Sequence, residues 1–294
     1  MIKYEWRTEL TPAEADELAD MLRRAAEFDA EPEYSTIDFA DVYRTLGTPR
    51  VRQLVIWMLP RATVMGEPDQ PECIAGLLRL NVAADGSAEA AVVIDPRLRS
   101  IGIMTLLFER IGLDIEAAEG WAGTGVRSVT AWARGNHPAA GRLSNRFLIP
   151  RTRRVWKLIR STSENLSAAP VLEPIGISAL DELSWTPAVN GTAQTYALRE
   201  DGRITGVAAV DPTPVTSEEF GHCATVLWAV ITPNSPVSTR RQLLAGTAAV
   251  VHEQHFTGLI CHVDSNDATM VNACRLAEFQ HDRTDAYFQL GGQS

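Results

Sequence analysis

Arg97, Arg99 and Gly102 lie in a turn between an apolar run, Val92-Val93-Ile94, and a helix-like segment that begins Ile103-Met104. Backbone N–H groups left unpaired at a helix start converge on one point, and the helix dipole favours negative charge there. A glycine in such a turn lets a ligand approach the chain closely. The chemistry expected of the segment is phosphate binding, with Arg97 and Arg99 able to add charge-assisted hydrogen bonds. The alternative is an ordinary strand–turn–helix carrying surface arginines, and the remainder of the chain has to decide between them.

At 294 residues the chain is long enough for two domains of ordinary size. Its formal net charge of −10 argues against a nucleic-acid partner. The basic run Arg151-Thr152-Arg153-Arg154 reads as a solvated strand edge rather than an anion site. Cys73, Cys223, Cys261 and Cys274 are scattered without metal or disulfide spacing, and read as reduced thiols. His252 and His255 stand three apart with no third ligand nearby, so no metal is expected. The N-terminus carries early acids and no basic-then-apolar signal, and no apolar run reaches the length of a membrane span. The chain is therefore expected to be cytoplasmic and monomeric, with no membrane partner.

The elements that must position the loop follow from punctuation and periodicity. Thr11, Pro12 and Glu14 make a helix start, followed by Leu18, Met21, Leu22 and Ala25 at helical spacing, with the helix ending near Phe28. A second helix is expected from Asp38 to Leu46, then strands from Arg52 to Leu59, Glu72 to Val82 and Ala88 to Ile94, the last two joined by Asp85-Gly86. The helix after Gly102 is expected to run towards Ala118. A strand from Val126 to Ala133, a helix from Pro138 to Asn145 and a strand from Val155 to Ile159 follow, and Ser161 to Ala169 reads as a linker. The order then restarts: helix Ile177–Leu183, strands Gln194–Arg199 and Ile204–Val210, strand Thr225–Ile231, helix Thr239–Glu253, strand Gly258–Val263, helix Ala268–Leu276 and strand Asp285–Leu290. Val92–Ile94 corresponds to Val230–Ile231, with Pro96 matching Pro233, so the chain is an internal repeat.

A strand ending Val-x-x-Pro, then Arg/Gln-x-x-Gly-x-Gly/Ala at a helix start, resembles the coenzyme A loop of the GNAT acetyltransferase superfamily. Arg99 and Gly102 occupy two of the three defined positions, and Met104 departs at the third, where a small residue is usual. The segment Trp132-Ala133-Arg134-Gly135-Asn136-His137-Pro138-Ala139-Ala140 resembles the Trp-Ala-x-Gly segment of the mycothiol synthase family, which are tandem GNAT enzymes. In the second half, His262-Val263-Asp264-Ser265-Asn266-Asp267 with Phe279 is similar to the segment that closes a GNAT domain, with Asp267 where asparagine is usual and Glu278 in place of a glycine. The resemblance covers nearly the whole chain. It implies an α/β (α+β) fold of two tandem GNAT domains, residues 1–162 and 163–294, each a mixed, mostly antiparallel sheet flanked by helices.

That resemblance also implies acetyl-CoA as cofactor and a small-molecule amine as acceptor, which in the mycothiol synthase family is the cysteinyl amine of a glucosaminyl-inositol pseudodisaccharide. Coenzyme A would lie against Val92, Val93, Ile94, Arg99, Ser100, Ile101, Gly102, Ile103 and Met104 in the first half. In the second it would lie against Val230, Ile231, Ser238, Thr239, Arg240 and Asp267, where the loop Pro233 to Arg241 has no glycine. The family's chemistry belongs to the second half, yet its basic position falls on Thr225, which has no basic group. His222 is the nearest titratable substitute, and the leaving-group acid falls on Cys274; strand-end and core roles are the plainer accounts of both. In the first half Glu89 could act as base if it faces the cleft. Asp38, Asp41 and Tyr287 could hydrogen-bond the acceptor. Acetylation of a different small amine, and a degenerate tandem domain that binds coenzyme A without catalysis, both stay open.

Overall fold

In the computed structural model, which describes residues 1–59, 72–163, 169–189, 191–233 and 235–292, the helix start at Thr11 takes the expected form. The Thr11 side chain accepts from the Glu14 N–H, Glu14 reaches back to Thr11, and α1 runs Pro12–Asp29 with Leu18, Met21, Leu22 and Ala25 buried. Asp38 caps α2 (Phe39–Thr45) by accepting from Ala40 N. Strands β1 (Ile2–Arg7), β2 (Val51–Met58), β3 (Cys73–Val82) and β4 (Ser87–Ile94) pair antiparallel in sequence order. Next come α3 (Ile103–Ile111), β5 (Ser128–Ala133), α4 (Pro138–Phe147) and β6 (Arg151–Ser161).

The second half contains β7 (Glu173–Pro174), α5 (Ile177–Asp181), β8 (Gln194–Glu200), β9 (Arg203–Ser217), β10 (Gly221–Ile231), α6 (Val237–Glu253), β11 (Gly258–Asp264), α7 (Ala268–Leu276) and β12 (Gln280–Gly291). The chain divides into two compact units, residues 1–153 with 285–294, and residues 154–284. In the first, β4 lies parallel to β5, and the end of β12 lies antiparallel beside β5. In the second, β10 lies parallel to β11, with β6 antiparallel on the far side of β11. Each unit therefore has a mixed, mostly antiparallel sheet with one parallel pair, and helices cover its faces. In the first unit, Val55, Leu77 and Val93 pack against α1 and α2, while Leu78, Leu80 and Val129 pack with Leu107 of α3 on the other face.

Three expectations need correction. The helix after Gly102 stops at Ile111 rather than near Ala118, because Gly112 takes φ 72° and its N–H closes on Phe108 O. β1 is a strand that the sequence reading omits, although Ile2 is buried and pairs with Met58. β9 continues past Val210 to Ser217, through Pro212 and Pro214. Its pairing with β8 ends at Val210, so the extension has β10 on one side only, and proline is tolerated on such an edge. Within the expected linker Ser161 to Ala169, residues 164–168 lie outside the described residues. Among the described residues no helix is long and apolar enough to cross a membrane.

Candidate cofactor site

The first unit's parallel pair is short. β4 and β5 stay in register from Ser87↔Ser128 to Ala90↔Ala131, after which β4 continues to Ile94 and β5 to Ala133 without pairing. Asp95 N donates to Ala75 O on the β3 side at 2.9 Å. Alternation then aims the N–H groups of Val92 and Ile94 away from β3, into the split between β4 and β5. The second unit repeats the arrangement: Cys223↔Gly258 to Val226↔Cys261, then separation.

Between β4 and α3 the chain makes a single 3₁₀ turn, Pro96–Leu98, capped by the Asp95 side chain. Ser100 (φ 66°) and Gly102 (φ 85°) are both left-handed. Helical bonding begins where Leu106 N donates to Gly102 O at 2.9 Å. Among the described residues, the N–H groups of Ser100 through Thr105 find no acceptor. Unpaired donors at a helix start, with no side-chain cap, form an anion-binding cradle.

The loop's arginines are committed elsewhere. Arg99 makes a two-pronged ion pair with Asp29, Nη1 to Oδ1 at 2.6 Å and Nη2 to Oδ2 at 2.7 Å, while its Nε donates to Ile94 O at 3.0 Å. Arg97 donates to the Asp95 carboxylate at 2.7 Å, and Arg24 does so at 2.8 Å. Asp95 is wholly buried; burial raises its pKa, but hydrogen bonds from Arg97 and Arg24 outweigh that and bring it to about 2. Because the folded value lies below the unfolded one, this stabilisation is complete above about pH 4 and is lost as pH falls towards 2. Acid unfolding of wild type should lose about 2 kcal/mol across that window that Asp95→Asn does not lose. Parallel pH curves for the two proteins would contradict it.

Beneath the loop lies a cavity of about 1220 Å³, lined only by residues of the first unit. Val92, Ile94, Phe108, Trp121, Ala131 and Phe288 give it an apolar wall. Tyr34, Trp132, His137 and Arg142 also line it. The connection after α1 is seated tightly on the turn after β5. A Cβ on Gly135 (φ 59°) would stand 2.5 Å from Pro32 O, so only glycine fits there. Arg142 is exposed and makes no hydrogen bond or ion pair among the described residues. A long apolar wall ending in uncharged anion donors suits a molecule with a slender arm and a phosphorylated end, and coenzyme A has that form.

Of the residues singled out in sequence, the structure brings Val92, Ile94, Arg99, Ser100, Gly102, Ile103 and Met104 to this cavity. Val93 turns to the opposite face, against α1 and α2. Ile101 is an exposed residue of the loop. Glu89 shares Val93's face by alternation and is exposed, one residue before the split opens. Tyr287 is paired with Trp132 across β12 and β5, their rings 4.6 Å apart. Asp38 and Asp41 serve α2, Asp38 as its cap and Asp41 bonded to Arg44 at 2.5 Å.

In the second unit the candidates do not converge. His222 is exposed at the start of β10, before its parallel pairing begins, and the split opens only after Val226. Cys274 is a fully buried free thiol in the core, beside the Cys261 thiol. Asp267 caps α7, accepting from Met270 N at 2.9 Å. Thr239 is buried, its N–H donating to Pro236 O at 3.0 Å, while Ser238 is exposed and Arg240 half-buried. Val230 and Ile231 end β10 half-buried. Sequence reasoning gave no role to His137 or Tyr34; His137 sits in a quoted segment, whereas Tyr34 carries no local signal. Among the described residues no cluster of histidine, cysteine, aspartate or glutamate could hold a metal ion.

No family model matches the chain. It is 33% identical over 143 residues to a mycothiol acetyltransferase of Sanguibacter keddieii, covering 45% of this chain and 42% of that protein. It is 28% identical over 127 residues to a mycothiol acetyltransferase of Paenarthrobacter aurescens, covering 42% of this chain and 36% of the relative. The matched segment spans less than half the length of either. Among solved structures, a tandem GNAT protein from the clavulanic acid biosynthesis pathway superposes with a TM-score of 0.55 at 13% identity, covering 100% of both chains. A GCN5-related N-acetyltransferase from Sphaerobacter thermophilus gives 0.53 at 14% identity, covering 97% of this chain and 95% of that one. The chain has the fold of tandem GNAT proteins, and its sequence resembles that of the mycothiol acetyltransferases.

Proposed function

We propose that the chain is an acetyl-CoA-dependent N-acetyltransferase whose first unit holds the cofactor and carries out the transfer. The acceptor is the class taken by mycothiol acetyltransferases, the cysteinyl amine of a glucosaminyl-inositol pseudodisaccharide. The observation that carries this reading is the coincidence, in one unit, of the unpaired N–H cradle at Ser100–Thr105 with the split between β4 and β5 beneath it. Acetyl-CoA supplies, when bound, an activated acyl thioester.

The residues of the chain provide the rest. The Val92 N–H, aimed into the split, is placed to donate to an oxygen that gains negative charge. Glu89, exposed one residue before the split opens and on the face opposite the cavity, is the carboxylate we assign to take the proton of an attacking amine, directly or through water. Transfer in the first unit is favoured over the second because Thr225 has no basic group, His222 lies away from the second split and Cys274 is buried.

The test is mass spectrometry of the purified chain with acetyl-CoA and the cysteinyl-glucosaminyl-inositol acceptor. An N-acetyl product is expected, and coenzyme A binding without product would favour the non-catalytic alternative. Glu89→Gln should lower kcat by roughly 10²-fold with little change in the KM for acetyl-CoA. An undiminished kcat would remove Glu89 from the reaction.

A further inference from the structure

Arg79 stands on β3 between Gln53 of β2 and Ala91 of β4, on the sheet face that also carries Glu89. It is half-buried, yet its guanidinium is poorly served. Among the described residues its Nε is buried with no hydrogen-bond partner. Its Nη2 makes only a long hydrogen bond, to Thr45 Oγ1 at 3.4 Å. That hydroxyl is already engaged, donating to Asp41 O at 2.6 Å and accepting from Gln53 Nε2 at 3.2 Å. Nor is the charge paired among the described residues. Asp41 of α2 is bonded to Arg44 at 2.5 Å, which holds its carboxyl below the ordinary pKa, and the Arg79 charge adds to this from further away. A guanidinium donates from every nitrogen, and a withdrawn donor left unpaired costs stability. The arrangement calls for an oxygen that these residues do not supply.

The register places that missing oxygen near the proposed chemistry. Asn81 faces Glu89 across the β3–β4 ladder and Arg79 faces Ala91, so Arg79 and Glu89 are diagonal neighbours. Diagonal positions lie roughly 7–8 Å apart, within reach of long side chains. Ala91 is small and half-buried, while Asn81 and Glu89 are exposed. An amine that gives its proton to Glu89 would therefore carry its next atoms over Ala91, towards Arg79. With acids at Asp41 and Glu89, the position disfavours a carboxylate and suits a neutral carbonyl oxygen.

We infer that Arg79 is an acceptor-positioning residue, its guanidinium donating to a carbonyl oxygen that the acceptor carries beside the attacking amine. This rests on the reading of the first unit as the transferase. It makes the substrate class aminoacyl amides rather than simple alkyl or sugar amines.

Arg79→Met in the full chain keeps an apolar stem and removes the donors. Its melting midpoint should equal or exceed that of wild type, because an unsatisfied buried donor is gone. Coenzyme A should bind it with unchanged affinity. The KM for the cysteinyl-glucosaminyl-inositol acceptor should rise roughly 10–100-fold, as the loss of a hydrogen bond from a charged group implies. Cysteinamide and cysteamine differ only by the carboxamide, so they report on the carbonyl directly. Wild type should prefer cysteinamide in kcat/KM, and the variant should lose roughly tenfold or more of that preference. A wild type indifferent to the carboxamide would overturn the inference. So would an unchanged acceptor KM in the variant, or a lowered melting midpoint with coenzyme A binding weakened alongside, which is the mark of a purely structural arginine. If wild type forms no N-acetyl product at all, the transferase reading falls and takes this inference with it, so the two failures are distinguishable.

Discussion

Gly102→Asp is expected to weaken coenzyme A binding to the first unit at least 100-fold, about 2.7 kcal/mol, with the fold intact. No atom lies within 4 Å of the position a Cβ would take at Gly102, so the side chain has room. The φ of 85° is one that aspartate tolerates better than most residues, at a cost of about 1 kcal/mol. The new carboxylate would stand at the start of α3, among the N–H groups that have no other acceptor. It would take their hydrogen bonds and repel phosphate, while the helix itself gains a cap. Calorimetric titration should therefore lose its binding isotherm while the thermal midpoint moves by only a few degrees. Wild-type affinity in this variant would show that the pocket lies elsewhere in the chain.

Asp29→Asn should be the most destabilising single substitution near the site. Asp29 is 2% exposed and its partner Arg99 is half-buried, so removing the carboxylate charge leaves a guanidinium largely withdrawn from water without its partner. Breaking such a pair costs about 3 kcal/mol or more. For units of this size that is roughly 6–12 °C in melting midpoint. The double variant Asp29→Leu with Arg99→Met should recover much of that loss, because no lone charge remains. It should still bind coenzyme A poorly, because Arg99 Nε no longer ties the loop to Ile94 O. A single Asp29→Asn that melts with wild type would show that the pair contributes nothing.

What could be read in advance was local. The Thr11-Pro12-Glu14 cap, the Asp85-Gly86 hairpin and the strand–loop–helix around Gly102 are each specified within a few residues, and each formed as expected. The tandem order was legible for the same reason, since a repeated punctuation pattern needs no knowledge of contacts. Arg99 shows where this ends. Its type and spacing suit a phosphate ligand, but its partner is 70 residues away on α1, and only tertiary packing brings Asp29 to it. Glu89 and Val93 depended on which face of β4 would carry the cavity, a choice that alternation alone leaves undecided. The end of α3 is specified locally as well, because Gly112 is an ordinary helix-stop signal.

The short parallel pairing of β4 with β5 has a consequence for how a guest enters. Past Ala90 and Ala131 the sheet is missing a rung: its interior carries peptide groups that a neighbouring strand would normally satisfy. A molecule whose own amides lie along that gap completes the sheet as a surrogate strand, and its recognition is then read largely by main chain rather than side chain. The slow-exchanging core of the first unit should accordingly widen when that guest is present, with Val92 and Ile94 passing from the exchangeable amides to the protected ones.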